Sequence, residues 1–208
     1  MNRPEVIVVH TGSANLASVV AALERLGVRT RVSEDASRVR EAAMVVLPGV
    51  GSFGPAMRRL RARRLDGAVL ERVRRERPLL AICLGMQVLC DGSEESPGVA
   101  GLGAAPGRLR RFDPPVRVPQ MGWNRVMPAA GATLVRPAAM YFANSYRLGR
   151  VPDGWAGATT DYGGPFASAL ERGPILACQF HPELSGSAGL ELIGRWLALA
   201  RSPDGAPC

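Results

Sequence analysis

The chain has 208 residues, 47% of them hydrophobic and 21% charged, which suits one domain around a single substantial core and requires no second. No apolar stretch reaches the roughly 18 to 20 residues of a membrane span, and the opening "MNRPEVIVVH" passes straight into a strand pattern without a signal-type apolar region, so a cytoplasmic protein with no membrane contact is expected. The formal charge of +8 invites a nucleic-acid partner, but every one of the 26 cations is Arg and aromatics make up only 5%; this is compositional bias rather than a binding surface, and no nucleic acid is expected.

In chain order, "EVIVV" reads as a strand and "NLASVVAALERLG" as a helix stopped by Gly27. "VRTRV", a short polar helix over Ala36 to Ala42, "MVVLP", and an arginine-rich helix pair follow, and "LLAIC" closes this half. The helix pair repeats apolar positions Met57, Leu60, Leu65, Val69, Leu70 and Val73 at helical spacing, which leaves its arginines to a solvated face. Strands that are nearly continuous apolar runs, alternating with helices, predict an α/β fold: a doubly wound, mostly parallel sheet of flavodoxin-like form. From Gly107 to Leu148 the segments "GRLRRF", "VPQMGWNRV" and "MYFANSYRL" read as antiparallel strands added to one side. "ILACQFHPE" and the helix "AGLELIGRWLALA" then complete a domain over residues 1–201, with 202–208, rich in Pro and Gly, expected to be a disordered tail.

Four cysteines without a CxxC pair, and two histidines far apart, give no metal-ligand spacing, and no metal or cofactor is expected. Cys90 and Cys178 sit in apolar segments as inert core thiols. Cys83 is different, because it ends the strand "LLAIC" where a helix-like stretch begins, and open α/β sheets bind ligands at the carboxyl ends of their strands. "A-I-C-L-G", with small residues two positions either side, has the form of a nucleophile elbow, and a helix N-terminus favours a thiolate. The elbow alone does not separate a nucleophile from a buried structural cysteine.

Two further features bear on that choice. In "CQFHPELSG", His181 and Glu183 are separated by one proline, and residues two apart on an extended chain point to one side, so Glu183 can hold His181 in one tautomer. "LPGVGSFG" places Gly49 and Gly51 in a loop after the third strand, where backbone N–H groups can approach and stabilise an oxyanion; it lacks the Lys-Ser/Thr ending of a phosphate-binding P-loop.

Taken together, "PGVGSFGPAM", "ICLGMQVL", "SEE", "VPQMGWN", "YFANSY", "TDYGGPFASAL" and "QFHPELSG" resemble, in this order, the class I, triad-type glutamine amidotransferases, and more narrowly the glutamine amidotransferase subunits of imidazole glycerol phosphate synthase. "MGWN" with "PGVGSFG" is the specific part of that resemblance. It implies that Cys83 attacks the side-chain amide of glutamine, that His181 shuttles the proton, and that Glu183 orients His181. It also implies an oxyanion hole from the Leu84 N–H and a backbone N–H at Val50 or Gly51. Gly49, Gln87, Glu95, Ser145 and Tyr146 are implied to bind glutamine, and Trp123, Asn124 and Tyr141 to meet a partner. That partner is a (β/α)8-barrel cyclase subunit in a heterodimer, which receives the ammonia and makes imidazole glycerol phosphate and an aminoimidazole carboxamide ribonucleotide in histidine biosynthesis.

The chain departs from the family pattern at His10, Thr11 and Ala14, where Asp-Tyr-Gly and Gly-Asn-Leu are usual, at Ala81 (usually Gly), at Asn144 (commonly His) and at Leu184 (commonly Lys). These departures spare the triad and fall, by analogy, near the ammonia exit and partner face. Two other readings stay open: a glutaminase subunit of pyridoxal phosphate or anthranilate synthesis, against which "MGWN" counts, and a non-catalytic scaffold, against which the intact triad counts.

Overall fold

The computed structural model describes residues 5–12 and 15–201; Ala14 and the expected tail, with Cys208, lie outside the described residues. The first half alternates β1 (Glu5–Val9), α1 (Leu16–Arg25), β2 (Arg29–Ser33), α2 (Ala36–Glu41), β3 (Met44–Gly49), α3 (Phe53–Ala62), α4 (Leu65–Arg74), β4 (Leu79–Cys83) and α5 (Leu84–Val88). The second half contains β5 (Gly92–Ser93), β6 (Arg108–Arg111), β7 (Gln120–Pro128), β8 (Ala138–Asn144), β9 (Tyr146–Leu148), β10 (Ala156–Asp161), β11 (Pro165–Arg172), β12 (Ile175–Cys178) and α6 (Gly186–Arg201).

The main sheet runs β2-β1-β3-β4-β12-β11-β10-β7-β8. It is parallel from β2 to β12 and antiparallel from β11 onward, which is the expected α/β sheet with antiparallel additions. The pleat sends alternate residues to two cores. Ile7, Val45, Leu47, Leu79 and Ala81 pack with Met57, Leu60, Val69 and Val73 of α3 and α4. Val6, Val8, Val46 and Leu80 pack with Val19 and Leu23 of α1 and Leu192 and Trp196 of α6.

Three details differ from the sequence reading. β2 is the edge strand, so its "RTRVS" is mostly solvent-facing rather than an apolar run covered on both sides. β10 and β11 form where the sequence reading assigns no strand: their Ala, Gly, Thr and Ser residues give little periodic contrast, and β11 is buried over six consecutive positions because both of its faces are covered, Ala167 and Leu170 in one core and Phe166 and Ala169 in the other. Arg72 does not join the solvated face of the arginine-rich helices but is fully buried. Cys90 and Cys178 are core thiols as expected; burial, then Asp91, pushes Cys90 up to about 12, and burial raises Cys178 well above the ordinary range.

Candidate active site

Three parallel strands bring the candidate residues to one end of the sheet. β4 lies between β3 and β12, with Cys83 registered against Gly49 and Ile82 against Cys178. The glycine loop after β3, the cysteine ending β4 and the histidine three residues past β12 therefore meet at the carboxyl ends of adjacent strands, where the field and shape of an open α/β sheet favour a ligand.

Cys83 makes the turn into α5 at φ 52° and ψ −108°, a left-handed conformation that a side chain rarely adopts. Gly85 permits it: a Cβ there would lie 2.0 Å from the Leu47 carbonyl oxygen. At Gly49 a Cβ would come within 2.9 Å of the Leu84 Cβ, so this glycine lets the loop and the elbow touch. Ala81, two residues before the cysteine, is fully buried and registered between Leu47 and Ala177 of the neighbouring strands.

His181 Nδ1 lies 2.8 Å from Glu183 Oε1, and both side chains are almost entirely buried. The geometry comes from a 3-10 turn over Pro182–Leu184 rather than from the extended chain inferred from the sequence; the turn folds the carboxylate back under the ring. Ser185 secures the turn, donating to the His181 carbonyl at 2.5 Å and accepting from the Tyr141 amide at 3.0 Å. Burial alone would lower the imidazole pKa, but hydrogen bonds to Cys83 and Glu183 outweigh it and raise it to about 10. The ring therefore favours its protonated form beside the Glu183 carboxylate.

A cavity of about 200 Å³ opens in front of these groups, below the roughly 300 to 1,000 Å³ of drug-sized sites and suited to a small polar molecule. Cys83 and His181 form one wall, and Val50, Gly51 and Leu84 adjoin them. Gln87, Glu95, Ser145 and Tyr146 line the rest with Ala143 and Asn144, so of the residues named for oxyanion and glutamine binding only Gly49 stands behind the wall. Glu95 also accepts the Phe53 amide at 2.6 Å, capping α3 where the Ser52 side chain does not.

The residues named for a partner divide between two faces. Trp123 is 59% exposed, packs edge-to-face on Tyr141, and shares its face with Met121, 67% exposed. Asn124, one residue on, points the other way and donates to the Asp161 carbonyl at 2.8 Å. Among the departures, Thr11 donates to the Pro48 carbonyl at 3.2 Å, His10 pairs with Glu34, Asn144 donates to the Tyr146 carbonyl at 3.0 Å, and Leu184 is partly exposed. Sequence reasoning passed over Gln179, whose Nε2 is 3.6 Å from the Cys83 sulfur. Its signal was present in "CQFH": Cys178 and Phe180 face the core, so period-two alternation puts Gln179 and His181 together on the opposite face.

The family model for glutamine amidotransferase class-I matches residues 7–197, and the chain belongs to that family. It is 45% identical over 199 residues to the imidazole glycerol phosphate synthase subunit HisH of Deinococcus radiodurans, covering 93% of each chain, and 45% identical over 203 residues to that of Thermus thermophilus, covering 96% of each. Within the class it therefore belongs with the HisH subunits of imidazole glycerol phosphate synthase. Two solved structures share the fold: one described as a glutamine amidotransferase (TM-score 0.76, 20% identity, 95% of this chain and 99% of that one) and PurLQS from Thermotoga maritima (TM-score 0.73, 15% identity, 95% and 99%).

Proposed function

We propose that the chain is the glutaminase subunit of imidazole glycerol phosphate synthase, acting in histidine biosynthesis, with Cys83, His181 and Glu183 as its catalytic triad. The carrying observation is that Cys83 and His181 line one small cavity, with Glu183 Oε1 2.8 Å from the buried His181 ring. The Cys83 thiolate attacks the glutamine side-chain amide carbon. The oxyanion that forms is received by the Leu84 N–H and by a backbone N–H at Val50 or Gly51; one such donor is typically worth about a hundred- to a thousandfold in rate. As the C–N bond breaks, His181 gives its proton to the departing nitrogen, leaving ammonia and a glutamyl thioester. His181, now neutral, takes a proton from water, whose oxygen attacks the thioester and releases glutamate. Glu183 fixes the ring throughout.

Gln87, Glu95, Ser145 and Tyr146 hold glutamine in this reading. The ammonia passes to a (β/α)8-barrel cyclase bound over the Met121–Trp123–Tyr141 face. Two observations support that docking: large apolar side chains are exposed there, and the face is continuous with the cavity, since Met121 is registered against the wall residue Ala143. The amidotransferase unit spans residues 1–201.

The test is Cys83→Ala in the complex with the cyclase. Glutamine-dependent product formation is lost by at least about a thousandfold, while formation from added ammonium salt continues. Glutamine-dependent turnover surviving in that variant would end the nucleophile assignment.

A further inference from the structure

Cys83 has a polar neighbour besides His181. Gln179 is fully buried; its backbone amide donates to the Ser168 carbonyl at 2.9 Å, and its Nε2 reaches the Cys83 sulfur at 3.6 Å. Its Oε1 accepts from Gln87 Nε2 at 2.9 Å, and the same Nε2 donates to the Tyr146 carbonyl at 3.4 Å. That carbonyl also receives Asn144 Nδ2 at 3.0 Å.

The direction of this chain of amides follows from one backbone atom. A carbonyl oxygen only accepts, so the end of Gln87 that faces Tyr146 must be its NH₂. Gln179 meets that NH₂ and must present its oxygen, which leaves its own NH₂ toward the sulfur. Turning Gln87 alone would set its oxygen against two others, and turning Gln179 alone would set two NH₂ groups together. Turning both would still press the Gln87 oxygen on the Tyr146 carbonyl. The thiol is therefore faced by a donor that cannot reverse.

From this we infer that Gln179 is a positioning residue for the nucleophile, acting through an N–H donated to the Cys83 sulfur that favours its anionic form and holds it toward the cavity. The inference rests on the reading of Cys83 as the nucleophile. Gln179 complements His181 rather than duplicating it. The imidazolium supplies charge and moves a proton, whereas the amide stays neutral at every working pH, so its donor remains while the proton is in transit. Hydrogen bonds to an ionised acceptor are about twice as strong as neutral ones, and here the donor is shielded from water. The same link sets Gln87, whose NH₂ is committed to Gln179 and Tyr146.

The experiment is the pH profile of Cys83 alkylation by iodoacetamide in the full-length chain, with the label located by peptide mass mapping, for wild type, Gln179→Leu and Gln179→Glu. Gln179→Glu preserves shape and the contact with Gln87 but turns an acceptor and a negative charge toward the sulfur, and it serves as well should Gln179→Leu fold poorly. In both variants the rate at pH 7 falls by about tenfold or more and recovers at high pH, so the profile moves to higher pH with an unchanged plateau. Profiles that superimpose on wild type, whatever happens to turnover, would reduce Gln179 to a packing role. A wild-type Cys83 no more reactive than free cysteine at pH 7 would overturn the nucleophile reading itself, and this inference with it.

Discussion

β3 and β4 carry a buried charged cluster at each end, and the two clusters differ in kind. Before the strands begin, Arg72 is fully enclosed, with its two terminal nitrogens donating to the carbonyls of Val39, Arg40, Ala42, Ala43 and Pro78, the shortest at 2.6 Å. Beyond the strands' other ends, Cys83 sits in a left-handed conformation beside a cavity, and Glu183 Oε2 is buried without a hydrogen-bond partner among the described residues. The Arg72 end has almost all its polar atoms paired, Arg72 Nε excepted. The Cys83 end combines strain, an open volume and unspent hydrogen-bonding capacity. A buried charge alone therefore does not mark a candidate site; a buried charge with backbone strain and space in front of it does.

The largest expected effect lies at the Arg72 end. Replacing Arg72 by Met takes a donor from five carbonyls where α2 ends and β3 and β4 begin; Arg40 and Ala42 keep Arg77 and Pro78 keeps the Val45 amide, but Val39 and Ala43 lose the Arg72 donor, and each buried acceptor left bare costs about 1–3 kcal/mol. Urea unfolding measures that loss. At a temperature where the variant is still folded, its glutamine turnover per molecule stays near wild type. A collapse of turnover there would show that the two ends are coupled, and the contrast between them would break.

The other end should show its charge through pH. His181 has a folded-state pKa raised to about 10 from 6.5, so the native chain holds this proton more tightly than the unfolded one. The stability it contributes is complete below about pH 6.5 and is lost as pH rises toward about 10, by a few kcal/mol. His181→Asn flattens the difference across that window. Turnover of the wild type falls over the upper part of the same range, as the proton needed by the departing ammonia is lost. Parallel stability curves for wild type and His181→Asn between pH 6.5 and 10 would remove the imidazolium from the description.

The two ends were not equally legible in the sequence. Cys83, His181 and Glu183 carry chemistry that few other roles require, and the runs "MVVLP" and "LLAIC" fix which strand ends the loop and the cysteine occupy, so the grouping of most of the candidate site is legible in the sequence. Arg72 is not. On a helix crowded with arginines nothing local marks the one that turns inward, because its partners are carbonyls up to 33 residues away along the chain. β10 and β11 were hidden for a similar reason: small and hydroxylated side chains become a buried central strand only through neighbours brought by topology. Gln179 lay in plain view in "CQFH" but carries no chemistry of its own that would single it out. The 3-10 turn shows the opposite case, with the right pair, His181 and Glu183, expected on a different backbone path.

The smallest effect isolates the strain at the elbow. Cys83 at φ 52° and ψ −108° holds a conformation that costs on the order of 1–3 kcal/mol for a residue with a Cβ and nearly nothing for glycine. Cys83→Ala and Cys83→Gly both lose the sulfur and its contacts with Gln179 and His181, so the difference between them reports the backbone. In ordinary helix or strand interiors glycine is the less stable of the two by roughly 0.5–1 kcal/mol. Here the order reverses: Cys83→Gly is more stable than Cys83→Ala by about 1 kcal/mol, equivalent to roughly 2–4 °C in Tm for a chain of this size, and both are without glutaminase activity. Equilibrium unfolding of the two variants at one pH decides it. An alanine variant that is the more stable by the usual margin would mean that the turn at Cys83 is relaxed, and the reactive end would then differ from the Arg72 end only by its cavity and the unpaired oxygen of Glu183.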